Sequence, residues 1–334
     1  MSSTRSVSYE IVSLSQTDAD DACDLWSHSV RRLGGSTAEI GALWKGSEIV
    51  RGFIEGHGRS GAGVVAREAG TVVAFLAYDR FPFHGEDTAV VPIVGHARGP
   101  GVSARIYQAM YRVLADVLVA DGCLNHILTY PADDVELQKV AFELGFGLYV
   151  VDAFVATDVP EPRAGVPGPL SIRRAGPTDV DELHRLIVEF DGHYRGSPLF
   201  LCRDRESVEE IAEIVRSGTG AVFLAETDGR IAGFINVQLA DESSPITLVR
   251  EDMGLIEPLG AYIRPEYRRR GVGAALVHEA LRWCRERGVL QVHVDFESAN
   301  LEAGAFWPKH FTPTLHSVKR RVNQDILDSP PSTG

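Results

Sequence analysis

Three arginines and two glycines lie close together in the second half of the chain, in the segment Arg268-Arg-Arg-Gly271-Val-Gly273. An extended apolar run ends just before them at Pro265, and from Ala274 to Arg287 apolar residues recur with helical spacing. Glycines at such a strand-to-helix turn let backbone N–H groups approach a ligand, and the positive end of the helix dipole favours an anion. The segment therefore predicts a phosphate or pyrophosphate site.

The spacing of this turn separates it from other phosphate-binding loops. It has neither the Gly-Lys-Ser/Thr ending of a P-loop nor the third glycine and ribose-binding acid of a dinucleotide fold. A plain tight turn with arginines facing water is the alternative. The pattern Arg268-x-x-Gly271-x-Gly273, preceded by Pro-Glu-Tyr, resembles the acetyl-CoA signature of the GNAT acetyltransferase superfamily. This resemblance implies acetyl-CoA as the acyl donor.

The resemblance also implies which residues hold acetyl-CoA. Asn300 to Phe311 is similar to the second cofactor segment of the family, except that relatives commonly carry Tyr where this chain has Trp307. Indole N–H is not a useful acid, so water or another group protonates the thiolate, or it leaves unassisted; core packing is the alternative role of the aromatic pair. The predicted cofactor-binding residues are Ala261, Ile263, Arg268, Arg269, Arg270, Gly271, Val272, Gly273, Ala274, Asn300, Phe306 and Trp307.

Acetyl transfer to an amine requires a base that removes a proton from the nucleophile. Glu257 is the candidate. Many relatives carry their acid six positions before the proline, which here is Leu259, and Glu257 lies two residues upstream, on the same face of a strand. A bulge around Pro258 to Gly260 would restore the geometry. The alternative is a solvated or salt-bridged glutamate, with Asp252, Asp295 and Glu297 as further candidate acids.

The acceptor is less visible in the sequence. By the resemblance, residues 190–200 line the acceptor pocket, which nominates Asp191, His193 and Tyr194 as substrate residues. The net charge of −13 and a pI near 5.3 favour a small cationic amine and argue against a general nucleic-acid surface. Tandem GNAT enzymes that complete a thiol cofactor leave a second class of acceptor open.

The length of 334 residues suits two domains. Residues 157–169 are rich in proline and glycine, which predicts a linker. The order of elements before it begins again after it. We therefore expect an α/β fold with mixed sheets, in two tandem GNAT copies: a degenerate one at 1–156 and one with the complete signature at 170–334.

The degenerate copy is expected to lack a working cofactor turn. Aligning Gly101-Val-Ser103 with Gly271-Val-Gly273 gives a partial turn, in which Pro100 has no N–H and Ser103 replaces a glycine. An ungapped alignment that sets Arg105 opposite Gly271 is poorer still. Either alignment predicts one active site per chain.

Composition bounds the remaining possibilities. The four cysteines lack metal-site spacing, so no metal is expected. No apolar run approaches a membrane span, and the first residues lack a signal-peptide core, which predicts a cytoplasmic protein without a membrane partner. Monomer and homodimer both stay open. The predicted activity is N-acetyl transfer to a small-molecule amine in a ternary complex, with a non-catalytic acyl-CoA-binding or regulatory module, or a scaffold without cofactor, as alternatives.

Overall fold

The computed structural model describes residues 9–30, 48–158, 170–203, 205–244 and 246–327. These residues form two compact units. Unit 1 contains the described residues of Met1–Val151, Ser244–Leu248 and Thr314–Gly334, and unit 2 those of Asp152–Ser243 and Val249–Pro313. Most of the predicted linker, 159–169, lies outside the described residues. Within the described part of the chain, no helix has the length and apolar character needed to cross a membrane.

Along the described residues, groups of strands are separated by helices. The helices are α1 (Ala19–Val30), α2 (Glu48–Ser60), α3 (Ile106–Ala120), α4 (Val135–Glu143), α5 (Val180–Arg195), α6 (Val208–Arg216), α7 (Val272–Arg285) and α8 (Leu301–Phe306). The strands are β1 (Glu10–Ser13), β2 (Gly63–Glu68), β3 (Thr71–Ala77), β4 (Asp79–Phe83), β5 (Glu86–Val91), β6 (His96–Arg98), β7 (Asn125–Pro131), β8 (Gly147–Ala156), β9 (Leu170–Arg174), β10 (Gly220–Thr227), β11 (Arg230–Leu239), β12 (Gly254–Leu255), β13 (Ala261–Ile263), β14 (Gln291–Glu297) and β15 (Thr312–Arg321).

Unit 1 is completed by β15, the last strand of the described residues. β1, β2, β3 and β6 form an antiparallel sheet, and β5 runs parallel to β7. β15 pairs antiparallel with the other edge of β7, from Leu315 opposite Pro131 to Arg321 opposite Asn125. Val318 is fully buried in the core of this unit, and Lys319 Nζ lies 2.6 Å from Glu86 Oε2. The C-terminal strand is therefore a structural part of unit 1.

Unit 2 is built on the antiparallel strands β9, β10 and β11. α5 and α6 cover it with an apolar face that includes the fully buried Leu183 and Ile211, as the spacing of their apolar residues requires. β12 pairs with β11 and also runs parallel to β14, with Gly254 opposite Val292 and Leu255 opposite His293.

A bulge separates β12 from β13. On β11, Gln238 pairs with Leu255 and Ile235 pairs with Ala261, so three steps along β11 face six steps along its partner. The bulge expected around Pro258 to Gly260 is thus confirmed. Beyond it β13 pairs with β11 alone among the described strands, so the edge of β13 on the side of β14 is open.

The two units repeat one order of elements, and their strand registers show which residues correspond. Arg98 pairs with Ala74 on β3 as Ile263 pairs with Gly233 on β11. The helices α3 and α7 that follow begin at Ile106 and Val272. Each is followed, two or three residues after its end, by a glycine with positive φ, Gly122 at 78° and Gly288 at 76°. The internal duplication is therefore visible in the structure.

This register corrects one alignment. Matching the starts of α3 and α7 sets Arg105 opposite Gly271 and Tyr107 opposite Gly273. The alignment of Gly101 to Ser103 with the glycine signature is wrong, because those residues belong to the loop that precedes the helix. Gly101 has φ 78° and serves that loop. The structure therefore supports the ungapped alignment, although it gives the poorer match to the signature in sequence.

Candidate active site

Gly271 shapes the glycine turn, by which we mean residues 268–274. It has φ 83°, a left-handed conformation that favours glycine, and α7 starts at the next residue, two residues before the position predicted from apolar spacing. The N–H groups from Arg269 to Ala274 have no hydrogen-bond acceptor among the described residues. Helix starts leave such donors unsatisfied, and a phosphate supplies the missing acceptors. The turn therefore has the donors that a phosphate or pyrophosphate group requires.

The arginine side chains of the turn have different environments. Arg268 Nε donates to the carbonyl oxygen of Ile263 at 2.9 Å, and Nη1 lies 3.5 Å from Glu302 Oε1. Its side chain therefore fixes the turn to β13 and α8. Arg269 and Arg270 are exposed, and the Arg270 guanidinium lies 5.9 Å from the centre of the Tyr267 ring. The two exposed arginines carry positive charge at the helix start.

The open edge of β13 carries the backbone donors of Ala261 and Ile263. Asn236 N–H donates to Gly260 O at 2.8 Å, and Arg264 N–H donates to Ala232 O at 2.9 Å, so residues 260 and 264 face β11. Because pairing alternates along an antiparallel strand, Ala261 and Ile263 face the other way. Their N–H groups point toward the space between β13 and β14.

The second cofactor segment packs against the glycine turn. A Cβ on Gly273 would lie 2.9 Å from Cε2 of Phe306, so the ring rests on the backbone of the glycine. Trp307 is 7% exposed and packs edge-on against Phe306 and Phe311, with ring centres 5.0 and 5.3 Å apart. Asn300 Oδ1 caps α8 by accepting the N–H of Ala303 at 3.1 Å. Trp307 thus has the environment of a core residue.

The three nominated substrate residues lie on the last turns of α5 but have separate neighbours. Tyr194 Oη donates to Glu297 Oε2 at 2.7 Å, and His193 Nε2 lies 3.4 Å from Asn300 Oδ1. Asp191 instead accepts from Arg205 Nε at 2.6 Å. The structure therefore brings Tyr194 and His193 together with the β14 and α8 segment, and Asp191 with the loop after α5.

Glu257 and Leu259 lie within the bulge. Leu259 is fully buried among apolar side chains, so the position at which relatives carry their acid belongs to the core here. Glu257 is partly exposed, and its charge acts on both His293 and Asp295. Among the candidate acids of the sequence, Glu257 and Glu297 both act through their charges on the third, Asp295.

Burial and neighbouring charges shift the pKa values of Asp295 and Tyr194. The carboxyl of Asp295 is accessible, but protein atoms surround it at longer range, and the resulting loss of hydration raises its pKa to about 6. The charges of Asp152, Glu297 and Glu257 add to the rise, while that of His293 opposes it. Burial and the neighbouring carboxylate of Glu297 raise the pKa of the Tyr194 hydroxyl. Asp295 is thus half ionised near pH 6.

Sequence reasoning misses His293 and Asp152 as functional residues. His293 Nε2 lies 3.0 Å from Asp152 Oδ1, and both side chains are buried. No local motif joins two residues that lie so far apart in sequence. The alternation of His293, Asp295 and Glu297 on one face of a strand was the available signal.

Asn236 holds the bulge that positions Glu257. It is fully buried, accepts the N–H of Leu259 at 3.2 Å through Oδ1, and donates through Nδ2 to Ala221 O at 3.2 Å. We expect Asn236→Ala to lower the free energy of unfolding by about 1–3 kcal/mol, because buried polar groups lose their partners. Urea denaturation measures this, with Gln238→Ala on the same strand as the control. Equal stability of the two variants would contradict the role of Asn236.

The space in unit 1 that corresponds to the open edge of β13 is filled. Nε2–H of the buried His96 on β6 donates to the carbonyl oxygen of Thr129 on β7 at 2.8 Å, and Tyr107 Oη donates to His96 Nδ1 at 2.9 Å. Burial lowers the pKa of His96 to about 4, so the ring is neutral and Nδ1 can accept. A neutral imidazole therefore bridges β6 and β7 where unit 2 has separated strands.

An open strand edge beside a glycine-rich helix start defines the class of acyltransferases to which the sequence is similar, and comparison with known proteins agrees. The model of the Acetyltransferase (GNAT) family matches residues 184–311. An uncharacterized N-acetyltransferase of Archaeoglobus fulgidus is 30% identical over 119 residues, which cover 35% of this chain and 76% of that protein. The chain belongs to the GNAT acetyltransferase family.

Two further relatives extend the comparison. An aminoglycoside N(6')-acetyltransferase type 1 of Stenotrophomonas maltophilia is 32% identical over 107 residues, which cover 30% of this chain and 64% of that enzyme. The crystal structure of a GCN5-related N-acetyltransferase from Sphaerobacter thermophilus matches 94% of this chain and 95% of its own, with a TM-score of 0.55 and 14% identity. The fold is therefore that of two GNAT copies in tandem. In the described part of the chain, no cluster of His, Cys, Asp or Glu is arranged to hold a metal ion.

Proposed function

We propose that this protein transfers the acetyl group of acetyl-CoA to a primary amine of a small cationic acceptor, directly and within one ternary complex. One observation carries the proposal: unsatisfied N–H groups at the glycine turn adjoin the open edge of β13, and carboxylates lie at the adjacent strand end. The donors suit an anionic donor molecule, and the acids suit a cationic acceptor.

Different residues of unit 2 have different roles in the proposed reaction. The N–H groups of residues 269–274 hold the pyrophosphate, and the N–H groups of Ala261 and Ile263 donate where negative charge develops on the reacting carbonyl. Acetyl-CoA supplies the activated acetyl group when bound. Glu257 takes the proton of the acceptor amine, with Asp295 as the second candidate base, because its raised pKa of about 6 suits proton uptake near neutral pH.

The carboxylates define the class of acceptor. The charges of Glu257 and Glu297 both repel that of Asp295, and a positively charged amine relieves this repulsion. The name of one relative, an aminoglycoside N-acetyltransferase, supports an acceptor with several amines. Tyr194, hydrogen-bonded to Glu297, and His193, near α8, lie where they can contact it.

A non-catalytic acyl-CoA-binding role is the second candidate. Leu259 occupies the position of the acid in relatives, and Trp307 occupies that of their general acid, buried in the core. Such a protein binds acetyl-CoA through the same glycine turn but releases no thiol.

Thiol release separates the two functions. The full chain is incubated with acetyl-CoA and a panel of amines, from polyamines and amino sugars to amino acid derivatives, and free CoA is followed with a thiol reagent. We expect release to depend on the amine and to be fastest with acceptors that carry two or more positive charges. Binding of acetyl-CoA by calorimetry without thiol release across the panel would favour the non-catalytic role.

A further inference from the structure

His293 and Asp152 form a buried ion pair that the proposed reaction does not yet use. Nε2–H of His293 donates to Asp152 Oδ1 at 3.0 Å, and the two side chains are 6% and 4% exposed. Phe154, two residues after Asp152 on β8, packs on the imidazole with ring centres 4.9 Å apart. A carboxylate buried this deeply requires a partner charge or hydrogen bonds.

The pair lies next to the acids of the proposed site. His293 precedes Asp295 by two residues and Glu297 by four on β14, so the three side chains share one face of the strand. The N–H of Ile256 donates to His293 O at 3.0 Å, which fixes the residue before Glu257 against the histidine. The His293 ring therefore lies beside the carboxylates that we assign to binding of the acceptor.

The imidazole of His293 interacts electrostatically with several carboxylates. The titratable groups that act on His293 are Asp152 from β8, Asp295 from β14 and Glu257 from the bulge, and all three are carboxylates. Burial works against the charged ring, but the hydrogen bond and charge of Asp152, with the other two acids, outweigh it and raise the pKa of His293. In turn, the charge of His293 works against the rise in the pKa of Asp295.

We propose that Asp152 and His293 are positioning residues of the acceptor site: Asp152 keeps His293 as an imidazolium, and this fixed positive charge keeps the neighbouring Asp295 ionised. Ionised carboxylates bind the acceptor ammonium and take up its proton. Neither member of the pair touches the acceptor. The effect on turnover rests on the proposed function, whereas the charge of the ring does not.

The charge of the ring is measured directly by NMR on the full chain with ¹⁵N-labelled histidine. The signals of His293 are assigned by their loss in His293→Gln or, if that variant does not fold, in the double variant Asp152→Asn/His293→Gln. We expect both ring nitrogens of His293 to be protonated at pH 7 in the wild type and only one in Asp152→Asn. A neutral His293 ring in the wild type at pH 7 would overturn the proposal, whatever the activity of the protein.

Kinetics test the consequence for the acids. Removing His293 leaves Asp152 buried without its partner charge, so the repulsion from Asp152 makes Asp295 harder to ionise. In His293→Gln, we expect the acid limb of the pH profile of kcat/KM to shift to higher pH by about half a unit or more. Adding Asp152→Asn removes the unbalanced charge and should return the limb toward its wild-type position.

Controls separate this role from a structural one. His278→Gln on α7 should leave the limb unmoved. A merely structural pair would lower the amount of folded enzyme in both variants without moving the limb, and that result would overturn the proposal. If no amine is acetylated but His293 is an imidazolium that depends on Asp152, the proposed function fails while the assignment of the pair stands.

Discussion

Gly273→Asp is expected to weaken acetyl-CoA binding by roughly 100-fold or more. Two like charges near the surface of a protein repel by a few kcal/mol at about 4 Å, and each 1.4 kcal/mol is tenfold in affinity. The new carboxylate would stand among the N–H groups that we assign to the pyrophosphate. It would also stabilise the first turn of α7, so the loss cannot be ascribed to unwinding of the helix. Calorimetry with acetyl-CoA measures the effect.

Two variants serve as controls for this loss. Gly273→Ala adds the same Cβ, 2.9 Å from Phe306, without the charge, and we expect less than about a tenfold loss because the ring can move. Gly218→Asp adds a carboxylate at an exposed glycine where a Cβ meets no atom within 4 Å. Wild-type affinity in Gly273→Asp would refute the assignment of the turn. Because His96 fills the counterpart in unit 1, we expect one acetyl-CoA per chain.

Glu257→Gln is expected to lower kcat by about 100-fold or more while acetyl-CoA binding is retained. General-base catalysis contributes about 10²–10⁴-fold, and the amide of glutamine has nearly the same shape but cannot accept a proton. Initial rates of thiol release at saturating acetyl-CoA, measured from pH 5.5 to 9 with the best amine of the panel, give the result.

The second candidate base is distinguished in the same series. If Asp295 takes the proton, Asp295→Asn shows the larger loss and removes the acid limb near pH 6, since the group that titrates there is gone. Asp252→Asn is the control, because this exposed acid pairs with Arg250 at 2.5 Å. Full activity of Glu257→Gln across the pH range would exclude Glu257 as the base.

The parts of the site that local chemistry determines were predictable from the sequence. Pro265 ends a strand and Gly271 starts a helix whatever surrounds them, and β13 and α7 lie where these residues require. The bulge was predictable for the same reason, since Pro258 and Gly260 interrupt a strand. In each case one or two residues carry the signal.

The parts that depend on distant partners were not predictable. β8 and β15 both have the alternating pattern of strands, but neither sequence indicates which strand it pairs with. The pair of Asp152 and His293 follows from where β8 lies, and the two residues are 141 positions apart. The glycines in residues 99–101 favour an incorrect alignment of the two copies. The sequence alone does not distinguish a glycine that a loop requires from one that a phosphate site requires.

The placement of β15 in unit 1 bears on how the chain folds during synthesis. A nascent chain exposes β7 with one edge unpaired until the residues up to Arg321 have left the ribosome, since β15 is its partner there. Domains commonly fold as they emerge, and unpaired strand edges promote aggregation. Unit 1 therefore cannot complete its sheet until β15, which follows the residues of unit 2 in the sequence, has been made.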